Sequence, residues 1–154
     1  MQWNAKDLSS FKEVREYIDT AIIPLLPISL KKDDLVQTGS MVELTTHVTR
    51  SIQTQFTGRT LLFPPYTYFR QEDFAKKSIR LKEWEQTIEK ERFKHIFYFT
   101  SDLDWKQYET GQSNECFILP MVPLESMEEQ FKRSMVDDQV KHFIPLIVQK
   151  WQLP

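Results

Sequence analysis

The residues with chemistry to offer are aspartates, serines and tyrosines that follow short apolar runs. Ser101, Asp102 and Asp104 come directly after His95-Ile96-Phe97-Tyr98-Phe99-Thr100. Ser29, Asp33 and Asp34 follow Ala21 to Ile28, and Tyr66 and Tyr68 follow Thr60-Leu61-Leu62-Phe63. Asp102 and Asp104 could position a cation or act as an acid and base pair. Gly39 and Ser40, if they open a helix, would offer free N–H groups to an anion. Tyr66 could stack on a planar ligand. The plainer reading competes at each place and is favoured. Aspartate and serine end strands and begin turns in most proteins, and aromatic loops more often fold over a core edge.

Other chemistries find little support. Gly39, Gly58 and Gly111 are the only glycines, none at the spacing of a phosphate-binding loop. His47, His95 and His142 lie far apart and Cys116 is alone, so no metal set is expected, and no cofactor. Ser101 lacks the glycine-flanked turn of a nucleophile elbow. Cys116, inside an apolar stretch, reads as a small buried hydrophobe, and His95 as a packed structural histidine.

The apolar runs themselves predict how these residues are positioned. His95 to Thr100 shows no polar alternation, as expected for a parallel strand covered on both faces. Thr20 to Ile28 has strand composition, but Pro24 and Pro27 each remove a ladder donor. At a spacing of three those gaps face opposite neighbours, so the strand is expected to be irregular, short or at an edge. Thr60 to Phe63 is a strand stopped by Pro64-Pro65, and Glu115 to Leu119 is a fourth strand, for which the lack of a preceding helix leaves an antiparallel setting open. Three S-x-x-E motifs, Ser10/Glu13, Ser40/Glu43 and Ser126/Glu129, predict helix starts by reciprocal capping. The first helix then runs from about Ser10 to Asp19. The second carries Met41, Leu44, Val48, Ile52 and Phe56 and ends near Gly58, a plausible left-handed cap. The third spans about Arg80 to Glu91, and the last is expected to kink or restart at Pro145. Alternating helices and strands give an α/β fold. The expectation is a three-layer sandwich, with a mostly parallel sheet of about four strands and helices on both faces. If the sheet is parallel, Asp33, Asp34, Ser40, Tyr66, Ser101, Asp102 and Asp104 share its carboxyl edge, where ligands bind in such folds.

Composition narrows the class. The chain has 154 residues, 40% hydrophobic and 27% charged, which fits a single domain over 1–154. The opening residues lack a signal-peptide pattern, the longest apolar run is far too short to span a bilayer, and the single cysteine suits a reducing compartment. A cytoplasmic protein without membrane insertion is expected. Seven basic residues and four glutamates lie between Lys76 and Lys94, whereas seven acids face Lys106 alone between Ser101 and Glu129. We read these as solvated faces of opposite sign. With a net charge of −2 and interleaved glutamates, nucleic acid is not an expected partner.

The segments YIDTAIIPLLPIS, TRSIQTQFTGRTLLFPPYTY and FYFTSD together resemble the YpiF-like family of small uncharacterised proteins from spore-forming Gram-positive bacteria. The resemblance covers nearly the whole chain and supplies no catalytic residues. It implies a part in assembling or regulating a respiratory complex, because members are often encoded beside menaquinol:cytochrome c reductase subunits. The function expected is that of an accessory protein with a protein partner. The alternative is a small-molecule-binding protein or hydrolase using the carboxyl edge.

Overall fold

A computed structural model describes residues 1–153. Four helices, α1 (Ala5–Val14), α2 (Leu35–Gln55), α3 (Phe74–Lys90) and α4 (Glu129–Gln152), surround five strands. The strands are β1 (Thr20–Ile28), β2 (Thr60–Leu62), β3 (Tyr66–Phe69), β4 (His95–Thr100) and β5 (Glu115–Ile118). Short 3₁₀ turns occupy Arg15–Tyr17, Leu103–Gln107 and Leu124–Ser126. Every strand pair is parallel, including β4 with β5, so the last strand is not reversed. A 14-residue connection without an α-helix (101–114) is long enough for that crossover.

The strand order is β2-β1-β4-β5, with β3 continuing beside β1 where β2 stops. Both faces of the sheet are apolar. Ala21, Ile23 and Leu25 of β1, with Ile96 and Tyr98 of β4, pack under α1, α3 and the Leu103–Gln107 turn. Ile22, Phe97 and Phe99 point the other way, against Leu44, Val48 and Ile52 of α2 and Val140, Phe143 and Ile147 of α4. Two-sided burial explains why β4 reads as an unbroken apolar run.

β1 is neither short nor at an edge. It is nine residues long and central, and its prolines fall where the ladders have gaps. Even-numbered residues of β1 turn their backbone groups toward β2 and β3, since Ile22 O accepts from Phe63 N and Ile28 O from Arg70 N. The missing N–H of Pro24 therefore faces the Pro64-Pro65 break between those strands. Pro27 faces the other side, beyond Pro24↔Phe99, the last β1–β4 pair. No donor is lost where an acceptor waits.

None of the three S-x-x-E motifs caps a helix. α1 begins one turn earlier, with Asn4 Oδ1 accepting from Asp7 N at 2.8 Å and the Asp7 carboxylate accepting from Gln2 N at 2.8 Å. α2 starts at Leu35 and α4 at Glu129. Three-residue spacing is also the spacing of neighbours inside a helix, so the motif does not separate a cap from an interior turn. α2 ends at Gln55 with Phe56 as its cap, and Gly58 does not take a left-handed φ. α3 begins at Phe74, ahead of the expected Arg80, and α4 runs through Pro145 without a restart. The stretch after Pro65, expected as an aromatic loop, contains β3, whose Tyr66 and Tyr68 are buried and Thr67 and Phe69 exposed.

Candidate functional site: the carboxyl edge of the sheet

Parallel strands do bring the expected residues to one edge, but that edge divides into three separate arrangements. The first lies under α3. Asp102 is buried, and its carboxylate accepts from Tyr68 Oη at 2.5 Å and from Asp104 N at 3.1 Å. Trp105 Nε1 donates to Tyr68 Oη at 2.7 Å, completing a chain from indole to phenol to carboxylate. Burial, then the adjacent Asp102 charge, pushes the Tyr68 hydroxyl far above the ordinary phenol range, so it stays a donor. Lys77 is also buried, with Nζ 4.8 Å from the Tyr68 ring centre and 3.5 Å from an Asp104 carboxylate oxygen. Tyr66, buried beside Trp84 and Trp105, donates to the Lys77 carbonyl at 2.6 Å. In this arrangement every polar group serves its neighbours.

The second arrangement ties the end of β1 to the end of β3. Asp34 accepts from Gln71 Nε2 at 2.9 Å and from Ser29 Oγ at 3.4 Å, and lies 3.4 Å from Arg70 Nη1. Arg70 also donates to Gln37 Oε1 at 2.5 Å. Asp34 occupies the cap position of α2 but makes no side-chain capping bond, because its oxygens are already engaged.

The third is a cleft of about 340 Å³ between the first turns of α2 and the segment after β5. Asp33, Gln37, Ser40, Met121 and Glu125 are among its lining residues. Ser40 does not sit at a helix terminus, so the free helix-end N–H groups expected beside it are not there. It is buried within α2, donating to Glu125 Oε2 at 3.0 Å and accepting from Leu124 N at 3.2 Å. It fastens α2 to the chain leading into α4.

Catalytic geometry is not assembled from these residues. Ser101 is buried and donates to the Pro120 carbonyl at 3.3 Å, with no base beside it. Among the described residues no three His, Cys, Asp or Glu side chains group as metal ligands. Asp33 and Ser40 share the cleft, whereas Asp102 and Asp104 belong to the opposite face. Sequence reasoning missed Lys77, Arg70, Gln71, Trp105 and Glu125. The two solvated charge faces were also too simple. Lys77 is buried, and so is Glu85, which binds Tyr108 Oη at 2.8 Å and Asn114 Nδ2 at 2.7 Å. No spacing signal marks such residues, since their partners lie between 23 and 85 positions away in the chain.

Beside the exposed charges of Lys31, Lys32 and Asp33, the edge exposes large apolar side chains. Seven of the thirteen exposed large apolar residues, Ile28, Leu30, Leu35, Val36, Phe69, Leu103 and Met121, stand at or just beyond strand carboxyl ends. Leu30 is 80% exposed. Ile28 and Phe69 are register partners, and Val36 and Met121 line the same cleft.

The fold defines an α/β protein with a parallel sheet covered on both faces. The chain belongs to the family described as "Protein of unknown function (DUF2487)", whose model matches residues 9–151. It is 27% identical over 151 residues to the "Uncharacterized protein YpiF" of Bacillus subtilis (strain 168), covering 98% of each chain. No solved structure matches. No helix of the described residues is long and apolar enough to cross a membrane.

Proposed function

We propose that this is a cytoplasmic accessory protein, acting as one domain over residues 1–154, that docks a protein partner on the carboxyl rim of its sheet. One observation carries the reading. The rim gathers exposed leucine, valine, isoleucine, phenylalanine and methionine where the fold family usually keeps polar ligand-binding groups. The buried polar residues of the same edge, Ser40, Ser101 and Asp102, are consumed in bonds within the fold. The family resemblance points to a respiratory complex as the partner, and this is the identity we assign to it.

A photo-crosslinking residue at Leu30 or Phe69, compared with one at Ile79 on α3, whose exposure lies between theirs, tests the reading in cells. The rim positions should capture one protein, a subunit of a menaquinol:cytochrome c reductase, that Ile79 does not. The same diffuse products from all three positions would defeat it. A second reading, small-molecule binding, rests on the cleft lined by Asp33, Ser40 and Glu125. It would require a thermal shift with a metabolite that Asp33→Ala removes.

A further inference from the structure

The opposite edge of the sheet, where strands begin, carries a groove of about 680 Å³. One wall is α1 with the Arg15–Tyr17 turn, presenting Lys12, Glu13, Arg15 and Glu16. The other is the end of α3 and the approach to β4, presenting Lys90, Glu91, Arg92 and Lys94. The acids are unevenly engaged. Glu91 pairs with Arg15 across the groove at 2.7 Å, and Asp19 pairs with Arg59 at 2.9 Å. Lys12, Lys90, Arg92 and Lys94 are exposed, and none lies within 4.0 Å of a carboxylate among the described residues. The α3–β4 wall is therefore cationic on a protein whose net charge is −2.

A second observation singles out that wall. Arg92 has φ 71°, and among the described residues no other non-glycine residue has a positive φ. It follows the helix end as the residue whose N–H bonds back to Glu89 O, a position where glycine is usual because a Cβ there is strained. A cation for the helix dipole is already supplied by Lys90 in the last turn. The dipole thus gives no reason for position 92 to carry a long charged side chain at the expense of stability. Strained non-glycine residues of this kind concentrate at binding sites.

We infer that this groove binds an acidic peptide segment of a partner protein. Its carboxylates would lie on Lys90, Arg92 and Lys94, and Glu13 and Glu16 on the facing wall would select a segment carrying a basic residue as well. Those two glutamates, and the lack of an aromatic residue in the lining, disfavour a nucleic-acid strand, which needs unbroken positive charge and stacking platforms. The groove shares no residue with the apolar rim, so either surface can fail without the other.

Fluorescence anisotropy with a labelled oligoglutamate peptide, in low and then raised salt, tests the inference on the full chain. Wild type should bind and weaken as salt screens the charges. Arg92→Gly should raise the melting midpoint by roughly 2–4 °C while weakening the peptide several-fold. The triple change Lys90→Glu, Arg92→Glu, Lys94→Glu should abolish binding, and Lys31→Glu with Lys32→Glu on the rim should leave it intact. Any of four results would overturn the inference: no binding by wild type, equal loss in the rim variant, tighter binding of a single-stranded oligonucleotide, or a stabilised Arg92→Gly that binds as before.

Discussion

Asp102, one of the candidate residues of the carboxyl edge, is buried with both carboxylate oxygens engaged by the fold. Its two oxygens cap the Leu103–Gln107 turn and accept the buried Tyr68 hydroxyl. Removing the carboxylate strips the turn of its cap and leaves a buried donor without an acceptor. Asp102→Ala should therefore cost roughly 2–4 kcal/mol in urea unfolding. Asp102→Asn, which keeps an acceptor oxygen, should lose less, about 1 kcal/mol. Both variants should crosslink through Leu30 as wild type does. A loss below about 0.5 kcal/mol for Asp102→Ala would mean that the network contributes nothing.

At the scale of elements, proline placement decides where this chain tolerates irregularity. In β1 the two prolines sit opposite ladder gaps, so they are accommodated without loss. Pro145 is different. It lies in the interior of α4, where it has no N–H for the Lys141 carbonyl one turn earlier. Its side chain is exposed, whereas Phe143 and Ile147 on either side supply the packing that keeps the helix together. Pro145→Ala should consequently stabilise the protein, by up to about 3 kcal/mol, the difference between alanine and proline in a helix interior. Differential scanning calorimetry would show a higher midpoint, and a lower one would mean that α4 needs the proline to pack on the sheet.

The whole molecule shares a sensitivity to alkali. Burial raises the hydroxyls of Tyr66, Tyr68, Tyr98 and Tyr108, and pushes the Cys116 thiol up to about 12. These groups hold their protons more tightly when folded, so their contribution is complete below the unfolded values, near 8.5 for cysteine and 10 for tyrosine. It is lost as pH climbs above them. Stability should fall from roughly pH 9 upward. Tyrosinate absorbance from the four buried rings should appear together with the loss of circular dichroism. Smooth titration of those rings in a chain that stays folded would contradict their burial.

Local pattern was enough for the fold class. The unbroken apolar run of β4, the three- and four-residue spacing of Met41, Leu44, Val48 and Ile52, and the Pro64-Pro65 stop all act within a few residues, so they could be read directly. They also place the candidate residues at one edge. The sequence did not reveal how that edge divides, because Ser40 answers to Leu124 and Glu125, Tyr68 to Asp102, and Asp34 to Gln71. Those partners are brought together by strand order and by which face each helix covers. The same holds for the prolines of β1, which look like faults until the neighbouring ladders are known to be open opposite them. Element type is decided by short-range sterics and periodicity. Whether a polar side chain meets a ligand or another side chain depends on distant parts of the chain, and only the tertiary structure decides that.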